Sequence, residues 1–341
     1  MKNNFENEFN EMMNDKKEIP LKVRRSLDQS FDIIRARSKK KKAQSIWKKT
    51  AAAACALIVT GIVLTNEQVM AGINEFFSFG DKGIEQAANK GFIQENESSV
   101  SDQEINITLD KHFSDENKLG LSFQLLFENP SILTNAQEVS MDYRVKNGDG
   151  EYIEEFIPDT KPLKGDSKYS SVSEHQNPLM DAKTGRVQYD LLSVSNEGVI
   201  PLLKDAVIEV ESINVFYNTG ENKKVDGTWN LSVINKEKAD LINEYVMKDE
   251  ASVIQVSKAS ASPTSLNLTF SLDGIYENEN IFAEMKIIDE EGNEYEAAGF
   301  SKTTKNNETI ISTNFPITSY NPSQKLKLVV NEVGEVDLFK K

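Results

Sequence analysis

A catalytic or metal site in this 341-residue chain would have to draw on two histidines, His112 and His175, one cysteine, Cys55, and 54 acidic residues. The histidines stand in separate segments, and neither has the Cys or carboxylate spacing that zinc binding requires. A nucleophile-base-acid triad would need one of them. His175 sits in the polar run Glu174-His175-Gln176-Asn177-Pro178 and reads as a loop residue. No nucleophile elbow, phosphate-cradling glycine loop or zinc-hydrolase motif occurs. Acidic pairs are too common here to mark a glycosidase-type site, and Asp289-Glu290-Glu291 reads as a solvated turn. An EF-hand pattern is absent. These residues argue against an enzyme, imply no cofactor and no metal, and leave binding or sensing as the chemistry to expect.

A second kind of chemistry is done to the chain rather than by it. Val69-Met70-Ala71 has the small-residue arrangement that a peptidase cuts after, which makes Val69 and Ala71 the candidate exterior cleavage residues. The segment before them sets their place. Residues 50–65, from Thr50 to Thr65, carry no charge and are bracketed by Lys48-Lys49 and Asn66-Glu67. Sixteen residues is short for a bilayer crossing, which wants about 20. Trp47 and the stems of Lys48 and Lys49 extend the run at the interface. Arg35, Arg37, Lys39, Lys40, Lys41 and Lys42 add to the basic flank, so the N-terminus is expected on the cytoplasmic side. Cys55 lies inside this run with most of the apolar residues after it, so it reads as a small membrane-helix residue rather than a lipidated one. A cleavable export signal would not need the 49 patterned residues that precede the run.

Charge divides the chain in the same way. Residues 1–49 hold 14 Lys/Arg and 7 Asp/Glu, net +7. The remainder holds 39 − 14 = 25 basic and 54 − 7 = 47 acidic residues, net −22. Basic residues gathered against an apolar run fit membrane topology better than nucleic-acid binding. No helix-turn-helix pattern of sufficient length accompanies them, so no direct nucleic-acid contact is expected.

Phe5, Phe9, Met12 and Met13 fall on one face of an N-terminal helix. Pro20 then suits a first helical position, and Val23, Leu27, Phe31 and Ile34 form the stripe of a second helix running to about Arg37. Two such short helices bury little core of their own, so their stripes call for a partner or for the membrane surface. Residues 66–100 suggest one or two short helices near the outer leaflet, punctuated by Gly80, Gly83 and Gly91.

From about Ser101 the period changes to two. Ile105, Ile107 and Leu109 alternate with polar residues, as do Leu119, Leu121, Phe123, Leu125 and Phe127. Met141, Tyr143 and Val145 precede the turn Asn147-Gly148-Asp149-Gly150, and further strands are expected at Val187–Leu191, Val207–Tyr217 and Thr228–Val233. Residues 158–185 read as a long exposed connection, and Lys236–Met247 as a short helical interlude at a domain seam. Strands follow at Val253–Val256, Leu266–Leu272, Ile281–Ile288, Tyr295–Phe300, Thr309–Phe315 and Leu326–Val330.

The order of these parts resembles the membrane-anchored anti-sigma factors of Gram-positive bacteria. The resemblance is carried by Ile19-Pro20-Leu21-Lys22-Val23-Arg24-Arg25-Ser26-Leu27-Asp28, the Lys-rich approach to an Ala-rich crossing, Phe76-Phe77-Ser78-Phe79-Gly80-Asp81-Lys82-Gly83-Ile84, and the strands Ile105–Leu109 and Leu119–Leu125. Trp229-Asn230-Leu231 and Leu266–Phe270 resemble an immunoglobulin-like companion domain. The family implies that the cytoplasmic helices occlude an extracytoplasmic-function sigma factor. Release would come by a site-1 protease outside the membrane and then by an intramembrane protease. Phe5, Phe9, Met12, Val23, Leu27, Phe31 and Ile34 would then be the sigma-binding residues. The N-terminal part lacks the His/Cys zinc motif of some anti-sigma domains, so the zinc-dependent class is excluded.

The expected fold class is mixed: short cytoplasmic helices, one transmembrane helix, then a mainly β extracellular region of two antiparallel sandwich-like domains. The expected boundaries are 1–45 for the sigma-binding segment, 46–66 for the crossing and 67–100 for a juxtamembrane helical segment. Residues 101–235 would form the first β domain, and 236–341 the immunoglobulin-like one. The competing reading is an envelope-anchored binding or adhesive protein without a transcriptional role.

Overall fold

A computed structural model describes residues 79–158, 160–165, 170–234, 241–249 and 251–341. All belong to the second of the two units, 64–341, into which the chain divides. The stretch expected to cross the membrane, 46–66, and the expected sigma-binding segment, 1–45, lie outside the described residues. Among the described residues no helix is long and apolar enough to cross a membrane.

The described chain is mainly β, with antiparallel pairing throughout and few helices. Its first part forms two sheets. One has the order β1 (Gln94–Asp102), β2 (Ile105–Ser114), β3 (Lys118–Phe127), β8 (Arg186–Glu197), β6 (Ser170–Gln176), with β7 (Met180–Asp181) also on β8. The other has the order β10 (Asn222–Ser232), β9 (Val207–Tyr217), β4 (Ala136–Lys146), β5 (Tyr152–Phe156). Period-two alternation fixes which face is buried. Ile105, Ile107 and Leu109 of β2 meet Met141, Tyr143 and Val145 of β4 in one core, while Asp142 and Arg144 face away from it. Trp229 lies in that core, fully buried, and its indole Nε1 donates to the Ile105 carbonyl at 2.9 Å, tying one sheet to the other. Beside it Gly227 leaves room for the ring; a Cβ there would strike it.

The second part is a nine-stranded path, β15 (Glu294–Glu296), β14 (Lys286–Asp289), β18 (Lys325–Val330), β19 (Gly334–Lys340), β11 (Asn243–Met247), β12 (Ile254–Ala261), β13 (Leu266–Asp273), β17 (Glu308–Phe315), β16 (Phe300–Lys305). Strand β11 divides its pairing: Asn243 and Glu244 pair with β12, whereas Tyr245 to Met247 pair with β19. The path turns there, and residues from both halves (Leu268 and Phe270, Leu326 and Leu338) enclose a second core.

Several expectations need correcting. The helical interlude expected at Lys236–Met247 is, over its described residues, the strand β11, held from both sides by backbone pairing. Of residues 66–100, where one or two short helices are expected, 66–78 lie outside the described residues; among the described ones α1 (Lys82–Asn89) is a helix, but Gln94–Asp102 is the edge strand β1. The exposed connection 158–185 contains β6 and β7. Ile281–Ile288 is not one strand: Asn280–Ala283 forms a single helical turn, α2, that buries Ile281 and Phe282, and β14 follows. His175 is a strand residue, not a loop residue. Its ring stacks on Tyr189 at 5.3 Å and its Nε2 lies 2.7 Å from Glu138 Oε1.

Candidate functional site

Helix α1 is the element through which the described chain is entered from its N-terminal side. Asp81 starts it. Its Oδ1 accepts hydrogen bonds from the Gly83 and Ile84 amides at 2.9 and 3.1 Å, satisfying two donors that a helix start leaves free. Gly91 ends it in the left-handed region at φ +71°, where the Phe92 amide returns to the Ala87 carbonyl at 2.9 Å. Between these caps, Ile84 and Ala87 pack against Phe92, Phe113 and Leu192. Phe113 takes the space over Gly120 of the neighbouring strand, where a Cβ would enter its ring.

The helix is also held by polar groups from two directions. The turn between β2 and β3 carries Asp115, which is buried and accepts from the Asn117 and Lys118 amides, both at 2.9 Å. Its other oxygen accepts from the Thr264 amide at 2.8 Å and the Thr264 hydroxyl at 2.7 Å, in the turn between β12 and β13. Burial pushes the Asp115 carboxyl above the usual range, and these hydrogen bonds pull against that. Asn117 Nδ2 donates to the Ser265 carbonyl at 3.0 Å. Lys118, only 2% exposed, forms an ion pair with Asp81, so the helix cap is also the counter-ion of a buried lysine. Lys118 Nζ also approaches the Thr264 carbonyl at 3.5 Å. That carbonyl abuts Gly83, where any Cβ would collide with it. Further along, the Thr318 hydroxyl donates to Gln86 Oε1 at 2.7 Å. Away from the helix, Asn314 Nδ2 donates to the Ser195 carbonyl at 2.7 Å, joining β17 to β8.

A cleft of about 710 Å³ opens beside this seam, with Asp81, Lys82, Lys118, Tyr295, Asn314 and Phe315 among its walls. The Tyr295 hydroxyl donates to Asp289 at 2.9 Å. Burial, together with that carboxylate, pushes the phenol up to about 12. Lys118 is paired with Asp81, and Tyr295 is held protonated, so these two residues offer hydrogen bonds to the cleft. Among the described residues no group of three or more His, Cys, Asp or Glu side chains is placed to hold a metal ion. His112 is buried in β2, where burial lowers its imidazole to about 4.

Residues 40–126 match the model of DUF4179, a domain of unknown function. The DUF4179 stretch thus runs from the Lys-rich flank, through the uncharged run and α1, to the middle of β3, and includes Asp81, Asp115 and Lys118. No curated protein matches the sequence. One solved structure similar in shape is the crystal structure of the conserved domain protein from Bacillus anthracis. It is 16% identical, covers 70% of this chain and 77% of its own, and has a TM-score of 0.44.

Phe5, Phe9, Met12, Val23, Leu27, Phe31 and Ile34, with Val69 and Ala71, all lie outside the described residues. The seam residues were not singled out as a site from sequence. Asp81 was within reach, since an Asp ahead of Ile84, Ala87 and Ala88 is an N-cap signature. Thr264 and Thr318 lie far along the chain, in turns with no pattern linking them to residue 81.

Proposed function

We propose that the chain is a single-pass membrane anti-sigma factor. Its N-terminal helices sequester an extracytoplasmic-function sigma factor in the cytoplasm, and its β region lies outside the cell. The observation that carries this reading is the order of the N-terminal parts. Two apolar helical stripes are followed by eight basic residues from Arg35 to Lys49 and then by an uncharged run, after which the net charge changes from +7 to −22. Stripes such as Phe5/Phe9/Met12 and Val23/Leu27/Phe31 suit the helix-in-groove mode of binding. Thr50, Gly61 and Thr65 weaken the crossing helix, which favours unwinding by an intramembrane protease after a first cut near Val69 and Ala71. The match to DUF4179 supports the layout in one respect: a single domain model spans both the uncharged run and the first strands.

The test is capture from membranes. Full-length tagged chain, extracted in mild detergent from a Gram-positive host, is expected to co-purify with a sigma factor identified by mass spectrometry. Leu27→Ser with Phe31→Ser is expected to abolish the capture while leaving the protein in the membrane fraction. Absence of any sigma factor, from cells that demonstrably contain such factors, overturns the reading in favour of an envelope-anchored binding protein.

A further inference from the structure

We propose that α1 is a latch, folded only while the two β parts are docked against each other. The helix has eight residues, whereas isolated helices below about 12–15 residues are marginal in water. What holds it comes from both parts at once. Phe113, Leu192 and Lys118 belong to the first sheet. The Thr264 carbonyl against Gly83 and the Thr318 hydroxyl on Gln86 belong to the second part. The same turn that touches the helix, Ser262 to Ser265, also receives Asp115 and Asn117 from the first part. Separating the two parts therefore removes one wall of the helix and, in the same movement, leaves Asp115 and Lys118 with lost partners in the other.

Release of the latch has a geometric result. Eight residues span about 12 Å as helix and up to about 27 Å extended. Undocking thus lengthens the leader to the β region at its base. This biological use rests on the membrane-regulator reading; the latch itself does not, and it is tested without a sigma factor.

Gly83 provides a test that separates the latch from ordinary helix propensity. Gly83→Ala raises intrinsic helicity by at most about 1 kcal/mol, so propensity alone predicts exchange in α1 that is slower, by up to about fivefold, and not faster. The same methyl group collides with the Thr264 carbonyl and wedges the helix off the second part. Hydrogen–deuterium exchange is measured on the full chain in detergent micelles, comparing residues 82–92 with β3 and β13. Expected is exchange at least tenfold faster over 82–92 in Gly83→Ala, and about threefold faster in Thr318→Val, a change outside the helix, with β3 and β13 unchanged in both. If Gly83→Ala does not fold, Thr318→Val decides by the same criterion. Exchange over 82–92 that is unchanged or slower overturns the latch. So does acceleration shared equally by β3 and β13, because the helix would then open only with global unfolding.

Discussion

His112 should make the first β part acid-labile, by an amount that can be worked out from its surroundings. The ring lies in β2 between Gln94 of β1 and Leu121 of β3, is 1% exposed, and neither nitrogen has a hydrogen-bond partner among the described residues. Burial therefore favours the neutral ring and lowers its pKa from 6.5 to about 4. A histidine whose folded value is depressed contributes stability that is complete above 6.5 and is lost as pH falls from 6.5 through about 4. Between pH 7 and pH 4.5 that loss amounts to about 2 kcal/mol. Asp115 and Glu154, both raised by burial, work in the opposite direction over the lower part of this range. The quantity to compare is therefore the difference between the parent and His112→Leu, which fills the site with a group that does not titrate. Urea unfolding of the full chain, with Trp47→Phe so that Trp229 alone reports, should show the parent losing about 2 kcal/mol more than His112→Leu between pH 7 and 4.5. At pH 7 the variant should be at least as stable as the parent, since no buried hydrogen bond is lost. Equal pH dependence in the two proteins would refute the reasoning.

Two further substitutions probe packing and charge. Gly120→Ala drives a methyl group into the Phe113 ring and should destabilise the first β part by about 1–3 kcal/mol, read as a lower urea midpoint with an unchanged slope. Arg144 is 2% exposed, binds Glu155 through Nε at 2.6 Å and also pairs with Glu211. Arg144→Ala leaves the nearly buried Glu155 without its cation, so a loss of about 3 kcal/mol is expected in the same unfolding assay. Glu155 also accepts the Lys164 and Gly165 amides, so trypsin should cut faster after Lys164; an unchanged cutting rate would mean the loop is held by other contacts.

Strands buried against a core were legible because one face repeats an apolar residue. Val207–Tyr217 coincides with β9, and Leu119 to Phe127 sets β3. Two edge strands of the sheet that contains β3 were not legible for the complementary reason. β1 and β6 each pair on one side only, and they read QENESSVSD and SSVSEHQ, with a single apolar residue apiece. What replaces apolar burial there is specific hydrogen bonding: Ser173 to Glu154 and Ser193, His175 to Glu138, Asn96 to the Ser232 carbonyl. Such partners lie tens of residues away or more, and no local window contains them. The seam shows the same limit. Asp81 announces a helix start, but its pairing with Lys118, and the role of Thr264 opposite Gly83, follow from how two separately patterned regions dock.

The divided pairing of β11 bears on the order in which the molecule assembles. Strand β19 lies between β18 and β11, so the nine-stranded path stays broken until Gly334–Lys340 has been added. Gln86 and Thr318 are 232 residues apart, and Asp115 and Thr264 are 149 apart. Closing such distant contacts is entropically slow, and it follows the local hairpins that the first part can form by itself. As the chain emerges from its N-terminal side, the sheets around Trp229 have their full complement of strands long before the second part does. Helix α1, made before either β part, is thus completed last, and its protection marks a chain whose whole β region has matured.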